Sequence, residues 1–168
     1  MAKPKDDRWH KRETALFGGI PIFLSFIIPY AVFARPDFGT VGIIACGTLI
    51  FMLGLLDDVR HIKPYTKLIG QIVVASLLVM FGVKIRIISY ELVSIPLTIL
   101  WLTGIVNAFN LLDNMDGLSG GIAAIVSGIL FLCAFASGNF IVALPALMLA
   151  GSLLGFLRYN FSPAQIFM

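Results

Sequence analysis

The sequence predicts an all-α, polytopic membrane protein with about six transmembrane helices, and three observations carry that expectation. Apolar residues fill 59% of the 168 positions and charged residues 12%, against about 45–50% and about 25% in soluble domains. Mean hydropathy is +0.98. No Lys or Arg falls from Ile87 to Leu157, and the basic residues sit in short clusters between apolar runs, which is how membrane topology is encoded. A soluble enzyme, a disordered chain and a nucleic-acid-binding module are excluded on this pattern, despite a net charge of +3 and a pI near 9.0. Two cysteines cannot staple a chain of this length.

Charges delimit the elements. Uncharged runs of 21, 19, 16, 21 and 41 residues lie between Glu13 and Arg35, Asp37 and Asp57, Lys67 and Lys84, Glu91 and Asp113, and Asp116 and Arg158. Lipid offers backbone groups no hydrogen-bond partner, so each run is read as helical. The first gives a helix near 17–34, opening at Gly18-Gly19, a pair suited to close backbone packing. The second gives 40–56. The third gives 67–83, short for a hydrocarbon core of about 30 Å and extended by its snorkelling lysines. The fourth gives 93–109. The fifth would reach roughly 60 Å as one helix, so it folds back at Ser137-Gly138-Asn139 into helices near 118–136 and 140–157. Val83-Lys84-Ile85-Arg86-Ile87 alternates with period two and reads as a short extracytoplasmic strand. Cys46 and Cys133 fall mid-helix as plain apolar residues. A single integral membrane domain over 1–168 is expected, without repeats, and the polar first 13 residues predict no cleavable signal peptide.

With the N-terminus in the cytoplasm, the inner segments are 1–13, 57–66, 110–117 and 158–168. Counting Lys67 at the boundary, they hold nine of the 12 Lys and Arg residues; the outer loops hold Arg35, Lys84 and Arg86. That is a positive-inside bias. Seven of the nine acidic residues fall on the same side: Asp6, Asp7, Glu13, Asp57, Asp58, Asp113 and Asp116.

Asp57-Asp58 closes the second helix, where the macrodipole is negative and each carboxylate is disfavoured by about 0.3–1 kcal/mol. A solvated loop start is one reading. The other is a divalent-cation or phosphate site, because clustered carboxylates are ligands for hard Mg²⁺. The aspartate-rich motif of soluble prenyl synthases does not fit, since its third aspartate would fall at His61. Asn107, Asn110 and, if helix continues, Asp113 recur every three residues on roughly one face. Polar residues there are costly unless they pair or bind something; interhelical hydrogen bonding is the alternative to ligand binding. Asp116 reads equally as the N-cap of the fifth helix. His10 lies in the basic stretch Arg8-Trp9-His10-Lys11-Arg12, which suits anionic lipid or a phosphate.

Three segments occur in a recognisable order: Gly54-Leu55-Leu56-Asp57-Asp58, the run from Asn107 to Leu118 (NAFNLLDNMDGL), and the run from Asn160 to Met168 (NFSPAQIFM). Together they resemble the polyprenyl-phosphate N-acetylhexosamine-1-phosphate transferases, glycosyltransferase family 4. The likeness covers essentially the whole chain and is closer to the undecaprenyl-phosphate GlcNAc-1-phosphate branch than to the phospho-MurNAc-pentapeptide translocase.

The resemblance implies attack of polyprenyl phosphate on the β-phosphate of a UDP-sugar, with release of UMP. Mg²⁺ is the implied cofactor, with Mn²⁺ as a substitute. Asp57 and Asp58 match the catalytic aspartate pair in the lipid-phosphate and metal region, with Asp57 as the base. Asn107, Asn110, Asp113 and Asp116 match the motif that lines the nucleotide-sugar and metal site. Asp57, Asp58 and Asp113 are the implied metal ligands within these residues. Lys67 is a pyrophosphate contact, and His10 matches a histidine ahead of a glycine pair in the GlcNAc branch.

Ala15 stands where that branch has proline, and Asn114 where it has glycine; Asn tolerates left-handed backbone. A family helix ahead of the basic segment has no counterpart after Met1, and beyond the position of Met168 the family continues with Gly-Asp-x-Gly-Ser, whose aspartate binds metal. The expectation is a partial family domain, inactive by itself. Its expected partners are the membrane, a polyprenyl phosphate and a UDP-N-acetylhexosamine, with no nucleic acid and with a homodimer allowed. Its expected location is the bacterial inner membrane, active face to the cytoplasm. A transport component is the competing reading, but it would place ionisable groups at mid-membrane. A non-catalytic scaffold would not depend on the aspartates.

Overall fold

The computed structural model describes residues 18–33, 37–60, 62–162, 164 and 166. His10 and the basic N-terminal stretch lie outside the described residues. Six helices follow in order: α1 (Gly19–Phe33), α2 (Phe38–Arg60), α3 (Pro64–Met80), α4 (Glu91–Leu112), α5 (Leu118–Ala136) and α6 (Phe140–Asn160). The all-α architecture is as the sequence predicts. Four helices, α2, α4, α5 and α6, are long and apolar enough to cross a membrane, with only 17–33% of their most apolar windows buried within the protein. The rest of those faces is apolar surface suited to lipid, and the chain is a multi-pass membrane protein. α1 and α3 have 15 and 17 residues, about 22 and 26 Å at 1.5 Å per residue. Bilayers accommodate helices of this length by local thinning and by snorkelling of flanking side chains.

Two compact units divide the chain. One, from Arg35 to Asn110, holds α2, α3 and all but the last turn of α4. Asp37 caps α2: its Oδ1 accepts the Thr40 N–H at 2.6 Å. Hydrogen bonds from Thr40, side chain first and backbone second, hold the Asp37 carboxyl below its ordinary range. α2 runs one turn beyond the first charge, so Asp57 and Asp58 occupy its last turn, with Arg60 closing it and complementing the dipole. α3 starts at Pro64, behind an extended Lys63, because proline at the first helical position forfeits only an N–H that would be orphaned anyway. α2 and α3 approach closely at Gly42, where a Cβ would lie 2.4 Å from Cβ of Phe81. Small residues at such crossings let backbones meet.

The strand expected at Val83–Ile87 does not form. α3 ends in a Schellman-type turn, with Gly82 N–H on Val79 O at 2.9 Å and Val83 N–H on Leu78 O at 3.3 Å. The chain then runs irregularly to Tyr90. An extended segment needs partners for its backbone, and here α4 supplies them instead of a second strand. The Ile85 N–H donates to Thr98 Oγ1 at 3.0 Å, and the Ser94 hydroxyl donates to Ile85 O. Lys84 pairs with Glu91 beside them.

The other unit holds α1, α5 and α6. The inward face of α6 is Ala143, Ala146, Ala150, Leu153, Leu157 and Asn160, a stripe at alternating three- and four-residue spacing that marks one side of a packed helix. Ala124, Leu153 and Leu157 form its core, with Ile22 of α1, Ala123 and Leu149 against them. The α5–α6 turn is at Ser137-Gly138-Asn139 as expected. Gly138 and Asn139 N–H groups bond Phe135 O and Ala134 O at 3.0 and 2.8 Å.

Candidate active site

In the first unit the α3–α4 pair carries a polar ladder with two rungs. Lys67 Nζ donates to Asp57 Oδ2 at 2.6 Å and to Asn110 Oδ1 at 2.8 Å. One turn further along α3, Gln71 Oε1 accepts from Asn107 Nδ2 at 2.7 Å. The spacings explain the match: residues four apart on α3 and three apart on α4 share a face, so 67 meets 110 and 71 meets 107. Lys67 and Asp57 side chains are 17% and 26% exposed, sheltered enough for a charge-assisted bond to exceed an ordinary surface ion pair. The ammonium has three N–H donors and these contacts use two. Asp58, exposed beside Asp57, completes the carboxylate pair.

Asn107 is fixed from two sides, because the same Nδ2 also donates to Thr103 O at 2.9 Å. Gln71 and Thr103 are 2% and 8% exposed, and each keeps one polar atom, Nε2 and Oγ1, without a hydrogen-bond partner among the described residues. A buried unpartnered polar atom costs about 1–3 kcal/mol, a cost that an apolar side chain at either place would not carry. Both line an otherwise apolar cavity of about 220 Å³ between α2, α3 and α4.

In the second unit, the acidic motif forms a turn and not a helix extension. α4 stops at Leu112, so Asp113 does not continue the Asn107–Asn110 face. Asn114 Nδ2 donates back to Leu111 O at 2.5 Å, capping the helix end and turning the chain. Asp116 is not the N-cap of α5; that position is Gly117, at φ +71°, left-handed backbone that glycine adopts at little cost. Asp116 Oδ2 instead accepts the Ala164 N–H at 3.1 Å. Asn160, 5% exposed, holds the other side: its Oδ1 accepts the Gly117 N–H at 2.9 Å and its Nδ2 donates to Ile166 O at 2.8 Å. The second and third motifs are thus bound to each other.

The structure therefore brings together Asp57, Lys67 and Asn110, adds Asn107 through Gln71, and sets Asp113 and Asp116 on a braced turn. Gln71 and Asn160 escape a reading of charges. Gln71 hides in an uncharged run, though its Lys67-x-x-x-Gln71 spacing is visible; Asn160 is the one amide at the end of α6. Among the described residues no three His, Cys, Asp or Glu side chains gather into a metal-binding group. Mg²⁺ commonly takes one or two carboxylates and completes its shell with water and substrate phosphates; Asp57 and Asp58 are carboxylates of that kind, with Asp57 Oδ2 holding the Lys67 ammonium.

Comparison with known proteins agrees with the family that the motifs resemble. The glycosyl transferase family 4 profile matches residues 40–168. The chain is 32% identical to the probable undecaprenyl-phosphate N-acetylglucosaminyl 1-phosphate transferase of Bacillus subtilis, over 99% of this chain and 49% of that protein. It is 31% identical to the phospho-N-acetylmuramoyl-pentapeptide-transferase of Clostridium novyi, over 95% of this chain and 56% of that protein. It is also 31% identical to the decaprenyl-phosphate N-acetylglucosaminephosphotransferase of Mycobacterium tuberculosis, over all of this chain and 48% of that protein. The chain spans about half the length of the curated relatives it matches. Matched by the family profile over three quarters of its length, the chain belongs to glycosyl transferase family 4.

Proposed function

We propose that the protein transfers a sugar-1-phosphate, GlcNAc-1-phosphate in particular, from a UDP-sugar to a polyprenyl phosphate at the cytoplasmic face of a bacterial inner membrane. The observation that carries this reading is the Lys67 ammonium held between Asp57 and Asn110. A fixed cation beside a carboxylate pair is what the meeting of two phosphate anions requires.

In the proposed reaction a phosphate oxygen of the lipid forms a bond to the β-phosphorus of the UDP-sugar. The bond from that phosphorus to the bridging oxygen breaks, and UMP leaves. Asp57 accepts a proton still carried by the lipid phosphate. Lys67 offsets charge on the pyrophosphate, while Asn107 and Asn110 orient the nucleotide sugar, with Asp113 and Asp116 presented on their turn. Mg²⁺, or Mn²⁺, held by Asp57 and Asp58, would neutralise phosphate charge.

The test is UMP release by the full-length protein in membranes given undecaprenyl phosphate, UDP-GlcNAc and Mg²⁺. Release with UDP-GlcNAc supports the reading. Release only with UDP-MurNAc-pentapeptide would move the protein to the other branch, and flux of a solute without UMP release would make it a transporter. The facing is tested separately. Cysteines at Val59 and Asn114 should resist an impermeant reagent in intact cells, and labelling of both from outside would invert the topology.

A further inference from the structure

We propose that Gln71 is a positioning residue for this reaction: it fixes the Asn107 amide and, through the register of α3 on α4, the contact of Lys67 with Asn110. The inference rests on the transfer reading above. It is carried by the ladder geometry and by the burial of Gln71. The Gln71 side chain lies one helical turn from Lys67, on the same face. Its Oε1 accepts from Asn107 Nδ2 at 2.7 Å, and the other hydrogen of that amide is taken by Thr103 O at 2.9 Å. Both Asn107 N–H donors are therefore committed inside the protein, which sets the way its amide faces and leaves its oxygen as the end we assign to the substrate.

The Asn107–Gln71 bond also holds α4 to α3 at the depth where Asn110 reaches the Lys67 ammonium at 2.8 Å. Gln71 is 2% exposed and its Nε2 has no hydrogen-bond partner among the described residues. Packing alone would favour an apolar residue of the same length, as in the adjoining cavity wall of Val74, Ala75 and Leu78. An amide at this place is explained by what its oxygen holds.

The test separates positioning from bulk stability by two substitutions of similar volume in the full-length protein. Gln71→Met keeps the length and removes the acceptor. Gln71→Glu keeps an acceptor oxygen for Asn107 but adds an ionisable group to an apolar site, which lowers stability. A stability role alone predicts that Gln71→Glu is the worse enzyme. Positioning predicts the reverse. Misplacement of a group by about 1 Å costs about 100-fold in rate, so kcat of Gln71→Met should fall at least tenfold, with KM for both substrates within about threefold. Gln71→Glu should be at least five times faster than Gln71→Met, although its thermal unfolding comes earlier.

A fall of less than tenfold in Gln71→Met, an effect carried mainly by KM, or a Gln71→Glu variant no faster than Gln71→Met by that margin would each overturn the inference. Wild-type protein that releases no UMP would instead overturn the transfer reading, and this inference with it.

Discussion

The two ends of α4 use polar side chains for opposite purposes. Near its start, Ser94 and Thr98 hand their hydroxyls to the backbone of Ile85. Near its end, Asn107 and Asn110 hand their amides to the side chains of Gln71 and Lys67. The first end closes a loop and satisfies main-chain groups that have nowhere else to go. The second bonds chiefly other side chains, with one amide contact to the Thr103 carbonyl, and it gathers a cation and a carboxylate. In the transfer reading proposed above, the first set is structural and the second belongs to the chemistry.

Substitutions can break this contrast at either end. The largest effect is expected at the chemical end. Asp57→Asn should lower transfer by at least about 100-fold while leaving folding near wild type, as loss of base or metal-linked catalysis does; UMP release and thermal unfolding of the purified variant measure the two. Wild-type turnover would return Asp57 to a structural role.

Gly42→Ala should act on stability, by about 1–3 kcal/mol, since its methyl would press on Phe81 at 2.4 Å and the α2–α3 crossing must open. Unfolding in denaturant reads this, and an unchanged midpoint would show that the backbone at Phe81 shifts at little cost. At the structural end, Ser94→Ala should cost about 1 kcal/mol with transfer within threefold of wild type. A tenfold loss of transfer would join the two ends of α4 functionally and erase the contrast.

The smallest effect is expected at Asp37. Its carboxyl titrates below the ordinary value of 3.8, so the ionised form favours the folded state. That contribution is present above the unfolded value and is lost as pH falls through the folded one. Wild type should therefore lose an increment of stability below about pH 4 that Asp37→Asn does not lose, seen as a convergence of their unfolding midpoints in acid.

Much of this arrangement is legible in the sequence, for reasons that differ by region. α5 starts and stops where expected because Gly117 on one side and Ser137-Gly138-Asn139 on the other are local stop signals. α2 and α4 run past the expected ends because a helix tolerates charge and amides in its last turn, so the first polar residue does not set its boundary. The strand at Val83–Ile87 fails because alternation reports which side chains face together and says nothing of whether a partner strand exists. The aspartates, Lys67, Asn107 and Asn110 stand out in an apolar chain because polarity there is expensive. Gln71 does not stand out, and Asn160 is visible only as the first residue of the third motif, since their contacts lie 36 residues away in one case and 43 in the other. Asp116 reads as a cap because Asp-Gly before a helix usually is one; only the fold brings Ala164 to it.

The bracing of Gly117 by Asn160 and of Asp116 by Ala164 has a thermodynamic consequence for whatever the acidic turn receives. Fixing a residue's backbone costs about 1–2 kcal/mol in conformational entropy, so on the order of 4–8 kcal/mol attaches to the four residues from Asp113 to Asp116. With the turn stitched to the segment after α6, that ordering is completed when the protein folds. In the proposed reaction an incoming ligand would meet the Asp116 carboxylate already held in place, and its own contacts would be free to appear as affinity.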